Sequence, residues 1–236
     1  MLLPQYFFDD NQGSLARQVG LLQNTHDQAK ERVIRLVPDG FRDELGKMSV
    51  VVAPNPDEEA ESVDGQYNLL SGRIVCFVPR QLPQSNGHEA AFRREYADTL
   101  GHEVCHGLRS RYARLETLGD AIVYEGIAMH FGRLAKGHPT PCIEEYEDTP
   151  IGEMLSDVGP EIRSGNFSYQ EWFIGSGDGY RIGEAVVGFY LANRNRQVGQ
   201  VLDVPAASII GYAENHASGN ERYRESIRNI LKYGYF

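Results

Sequence analysis

From Ser14 to about Leu36, apolar residues recur at helical spacing: Leu15, Val19, Leu22, Ala29, Val33 and Leu36 share one face. Ser14 offers an N-cap, and Pro38-Asp39-Gly40 stops the helix. The period then changes. Ser49 to Ala53 is a short β-branched run closed by Pro54 and Pro56, and Arg73 to Val78 is a second one ending at Pro79. Between these strands, Asp57 to Asp64 (DEEAESVD) reads as a solvated loop.

Helical spacing returns after the turn Gln84-Ser85-Asn86-Gly87, predicting a helix from about His88 to Ser110. Thr117 and Asp120 form a capping pair for a helix from Leu118 to Ala135, which Gly137 and Pro139 end. Residues 139 to 179 read as irregular, with an acidic piece (IEEYED) and a glycine-rich one (GSGDG). A helix follows at about Tyr180 to Asn193, and Asn220 to Lys232 forms an amphipathic tail helix. These elements predict an α+β fold: a small N-terminal β-sheet with a mostly helical body. No repeat, low-complexity tract or linker divides the chain. The expectation is one domain over 1–236, with an N-terminal lobe of about 1–110, a helical C-terminal lobe of about 111–236, and a cleft between them.

Composition narrows the classes of function. The 236 residues carry 23 Lys+Arg against 33 Asp+Glu, a net charge of −10. A nucleic-acid or anionic-membrane partner would need a basic surface, so neither is expected. Hydrophobic residues make up 41% and charged residues 24%, the balance of a soluble globular protein. No apolar run approaches the roughly 18 residues needed to cross a membrane. The opening MLLPQYFFDDNQ has neither the basic nor the apolar region of a secretory signal. Cys76, Cys105 and Cys142 are too few, and odd in number, for a disulfide framework. The expected location is cytoplasmic.

One motif carries chemistry. His102-Glu103-Val104-Cys105-His106 is HExxH inside the predicted helix, with apolar neighbours Leu100, Val104 and Leu108. Residues four apart lie one turn along the same helix face, so both imidazoles reach one cation, and imidazole suits zinc. Glu103 sits beside the first ligand and can take a proton from water without ligating. A catalytic zinc site needs a third protein ligand and an open fourth position. Glu125, in Tyr124-Glu125-Gly126-Ile127-Ala128, follows His106 after eighteen residues, on a helix that can fold back antiparallel. Gly126 leaves room for close helix packing or for substrate. Cys105 points about 100° from each histidine and reads as packing.

HExxH followed by a glutamate in an EGxA context resembles the gluzincin metallopeptidases. It is most similar to a bacterial family described as predicted zinc-dependent proteases. That family adds a tryptophan-bearing segment and a GYxxG segment, here Trp172-Phe173 and Gly179-Tyr180-Arg181-Ile182-Gly183, and the resemblance covers roughly residues 48 to 213. It implies one Zn2+ per chain on His102, His106 and Glu125, with a peptide or protein as substrate. No GxMEN-like segment of the aminopeptidase branch is present, which favours an endopeptidase. The resemblance also implies that the strand Arg73 to Val78 borders the cleft and pairs with extended substrate, against the reading of an internal structural strand.

Hydrolysis in this class has Glu103 accept the water proton and deliver it to the leaving amine. The developing oxyanion needs a further donor. Tyr180, at a glycine-flanked helix start, is one candidate, against the reading of an ordinary packing aromatic; His216 is another. Asp98 and Asp120 could orient the histidines, although each also reads as a solvated or capping carboxylate. His130 and His138 read as surface or supporting residues. Two other functions use the same residues: hydrolysis of a small-molecule amide, and a non-catalytic zinc-binding domain. Glu103 argues against the last, because a purely structural site has no use for it.

Overall fold

A computed structural model describes residues 6–8, 18–82, 86–141 and 150–216. The fold is mixed α+β. Strand β1 (Tyr6–Phe8), helix α1 (Val19–Leu36), a short helix α2 (Arg42–Leu45), and strands β2 (Ser49–Pro54), β3 (Asp64–Asn68) and β4 (Arg73–Val78) come first. Helices α3 (Asn86–Arg109), α4 (Leu118–Lys136), α5 (Ile151–Val158) and α6 (Asp178–Arg194) follow, and residues 206–216 are again helical. None of the described helices is long and apolar enough to cross a membrane.

The described residues gather into two compact units. One is drawn from Met1–Tyr112, Ile127–Thr140 and Gln197–Asp203, the other from Ala113–Gly126, Pro141–Arg196 and Val204–Phe236. In the first unit the four strands run in the order β1-β2-β4-β3. β1 and β4 pair parallel with β2, and β3 pairs antiparallel with β4, in register Gly65↔Cys76 and Tyr67↔Ile74. The inward residues of β2 and β4, Val50, Val52, Ile74, Cys76 and Val78, are buried. Helix α1 buries Leu22, Ala29 and Val33 and packs along α3. The sequence-expected cap Ser14 and the tail 220–232 lie outside the described residues; α1 stops at Leu36 as expected.

Several expectations change. The strand Arg73 to Val78 is not at the border of the sheet: β4 is paired on both sides, and the described strand outside it is β3. β3 contains Asp64, the last residue of the expected acidic loop. Residues 139 to 179 are not irregular throughout. They include α5, a 3-10 stretch (Gly159–Arg163) and a π-helix (Gln170–Gly175). Helix 206–216 is also additional. The physical reason is the same in each case: pairing and burial supply order that local propensity does not.

Two glycine contacts set the helix spacing. On α3, a Cβ at Gly101 would lie 2.7 Å from the Ala135 Cβ and 3.1 Å from the Gly132 Cα of α4. Lys136 meanwhile reaches Asp98 at 3.0 Å. Positions 98 and 101 of α3 thus cross closely over positions 132 to 136 of α4. In the second unit Gly126 of α4 touches the backbone of Gly183 of α6. The EGxA glycine is therefore used for helix packing.

Candidate metal centre

The start of α4 is fixed by a reciprocal cap. The Asp120 N–H donates to Thr117 Oγ1 at 3.1 Å, while the Thr117 N–H and hydroxyl donate to Asp120 Oδ2 at 2.9 and 2.8 Å. At its other end Gly137 adopts φ +102°, and the His138 N–H returns to the Arg133 carbonyl, a glycine-dependent helix stop. These two signals set the phase of α4 and hence the side on which Glu125 emerges.

On α3, the i, i+4 spacing does what the sequence requires. The Nε2 atoms of His102 and His106 stand 2.9 Å apart with rings 88° from coplanar. Two nitrogens bound to one zinc at ~2.0–2.1 Å in tetrahedral geometry lie about 3.3 Å apart, so this convergence suits a shared ion. Glu125 completes the group: His102, His106 and Glu125 each offer one ligand atom, and these atoms lie within 4.8 Å of one another. His106 and Glu125 are buried, and His102 is partly so. Two imidazoles and one carboxylate form the donor set of a catalytic zinc, and a cation offsets the cost of burying the carboxylate.

Glu103, 7% exposed, lies beside these residues under β3. The strand passes so close that a Cβ on Gly65 would sit 2.7 Å from the Glu103 Cγ and 2.9 Å from its Oε1. Only glycine allows that approach. Opposite Gly65 in the ladder is Cys76, whose thiol is pushed up to about 12 by burial first and then by Glu103. A neutral buried thiol is no metal ligand. Cys105 is likewise buried, as the packing reading expected.

Tyr169 is the residue that sequence reasoning missed. Its phenol donates to Glu125 Oε1 at 2.7 Å. Its partial burial, then the Glu125 charge, push its ionisation well above the usual tyrosine range, and Tyr180 is within its hydrogen-bonding reach. Tyr169 stacks on Phe173 (4.4 Å between centroids, 19°), and Phe173 meets the Tyr180 ring edge to face at 5.2 Å. Phe173 also occupies the space that a Cβ on Gly179 would fill. The Trp172-Phe173 and GYxxG segments therefore pack on each other, with Tyr180 between Gly179 and Gly183. No local pattern announces Tyr169, which is 44 residues from Glu125 in the chain.

The Asp98 carboxylate is engaged by Lys136, and Asp120 by its cap. His216 is exposed, stacked on Tyr212 with Nδ1 at 2.8 Å from that residue's carbonyl. His138 is exposed, whereas His130 is buried, which removes the surface reading for it and leaves the supporting one. Arg109, one turn beyond His106, is buried and donates from Nη1 to the Val201 and Leu202 carbonyls at 3.0 and 2.8 Å, holding the end of a 3-10 helix (Val198–Val201) against α3.

An HExxH helix whose imidazoles converge with a carboxylate of the next helix, on an α+β frame, defines a candidate zinc-hydrolase centre. The chain belongs to the family described as predicted Zn-dependent protease (DUF2268), which matches residues 50–211. That span is close to the one the motifs outlined and contains the whole donor set. No curated protein matches the chain. No solved structure matches it either.

Proposed function

We propose that the chain is a zinc-dependent hydrolase of peptide bonds, acting within chains rather than at their N-termini. The observation that carries this is the grouping of His102, His106 and Glu125 with Glu103 held beside them. His102, His106 and Glu125 would hold the ion. Bound there, zinc supplies Lewis-acid polarisation of the scissile carbonyl and a water pKa near ~7.

The chain's own groups supply the rest. Glu103 is not among the grouped ligands, so its carboxylate accepts the proton of the attacking water and passes it to the leaving amine. Burial keeps the exchange away from bulk solvent. Tyr180, from the first turn of α6, donates to the oxyanion as the carbonyl becomes tetrahedral. Substrate runs along β3. Among the described residues this strand is paired only with β4, leaving the other side for an extended peptide. An acidic chain with two buried cysteine thiols suits a cytoplasmic setting.

The test is metal analysis of the purified protein followed by cleavage of a peptide library. One zinc per chain and internal cleavage are expected, both lost in His102→Ala and Glu125→Ala. Glu103→Gln keeps the metal and loses cleavage by at least about a hundredfold. Full cleavage by Glu103→Gln rejects the base. Zinc with turnover only of small amides moves the substrate to that class.

A further inference from the structure

We propose that Tyr169 is a positioning residue for the third metal ligand: its phenol fixes the plane of the Glu125 carboxylate so that the carboxylate meets the two imidazoles in one orientation. This rests on the zinc reading above and adds a residue to it.

The geometry is specific. Glu125 is 3% exposed, and the Tyr169 hydroxyl donates to its Oε1 at 2.7 Å. The terminal torsion of a glutamate is broad, so an unheld carboxylate turns readily. A charge-assisted O–H···O⁻ bond on one oxygen removes that freedom and leaves the other oxygen for ligation.

The tyrosine itself is held through its ring. Its ring stacks on Phe173, which is seated on Gly179. Tyr169 immediately precedes the π-helix Gln170–Gly175, and such wide turns concentrate at functional sites. The residue is 39% exposed, more than a core aromatic would be. A side chain kept for packing alone would bury its ring. This one leaves much of its surface in solvent and commits its hydroxyl to a buried carboxylate.

The experiment measures zinc affinity by chelator competition and the visible spectrum of the cobalt-substituted protein. Tyr169→Phe keeps the ring and its stack and removes only the hydroxyl. Zinc binding should weaken about 10- to 100-fold, the usual effect of removing a group that orients a ligand. The cobalt bands should shift, and the melting temperature of the metal-free protein should hold. In a Glu125→Asp background the same change should have little further effect, because the phenol acts through the carboxylate.

Wild-type affinity with an unchanged cobalt spectrum overturns the positioning role and leaves the zinc site standing. Additive losses in the double variant overturn it too, as does an affinity loss matched by a collapse of the metal-free melting temperature. A wild-type protein that binds no zinc overturns both readings.

Discussion

Gly126 and Gly183 meet backbone to backbone. A Cβ on Gly183 would fall 3.1 Å from the Gly126 nitrogen and 3.2 Å from its Cα, and one on Gly126 would run into the Gly183 carbonyl. Glu125 precedes the first glycine, and Tyr180 lies three residues before the second, so this contact sets how the candidate ligand and the phenol approach. Alanine in an exposed helix stabilises by about 1 kcal/mol over glycine. Here overpacking opposes it with about 1–3 kcal/mol. Gly183→Ala should therefore lower the melting temperature by several degrees and weaken zinc binding. A raised melting temperature with intact affinity would reject the close crossing.

Gly65 gives a second, separable test. Alanine there would place its Cβ 2.6 Å from Thr99 Cγ2 and 2.7 Å from Glu103 Cγ. Either β3 lifts or the Glu103 carboxylate turns. Misplacing a catalytic group by about 1 Å can cost a hundredfold in rate. Gly65→Ala should lower kcat at least tenfold while zinc stoichiometry stays at the wild-type value, since His102, His106 and Glu125 are not touched. Unchanged kcat would mean that β3 does not constrain the base.

Much of this site is legible because its signals are local. HExxH depends only on helix periodicity, and the Thr117–Asp120 cap fixes α4 from four consecutive residues. β4 has the observed boundaries of its β-branched run. β3 differs: Asp64-Gly65-Gln66-Tyr67-Asn68 has no β-branched residue, and its strand state comes from pairing with β4 and from lying against α3. α5 buries Ile151, Met154, Leu155 and Val158 at helical spacing. Two turns between Pro150 and Gly159 are nonetheless too short a window to separate helix from loop. Tyr169 is the extreme case, because its role exists only once α4 and α6 are packed.

The two tyrosines should separate kinetically. Tyr180 is proposed to serve the oxyanion and Tyr169 to hold the ligand. Tyr180→Phe removes a donor that matters only as charge develops, so kcat should fall about 10²-fold or more with KM and zinc affinity nearly constant. A Tyr180→Phe protein with wild-type kcat would return that side chain to simple packing against Phe173.

A pH effect on stability is expected away from the metal. His26 on α1 is buried, with Nδ1 2.9 Å from the Tyr96 hydroxyl of α3. Burial lowers its pKa from 6.5 to about 4, outweighing the Asp27 charge that raises it. The folded state therefore keeps this imidazole neutral where the unfolded chain protonates it. Its contribution to stability is complete above pH 6.5, declines as pH falls through the window from 6.5 to about 4, and is constant below. The shift corresponds to about 3 kcal/mol across that window. His26→Gln keeps a polar partner for Tyr96 and removes the titration. Denaturant unfolding at pH 7 and pH 4.5, in wild type and variant under the same metal conditions, isolates the effect. The wild type should lose about 2–3 kcal/mol more than His26→Gln between the two pH values. Equal losses would show that His26 takes up its proton as readily in the folded protein as in the unfolded chain.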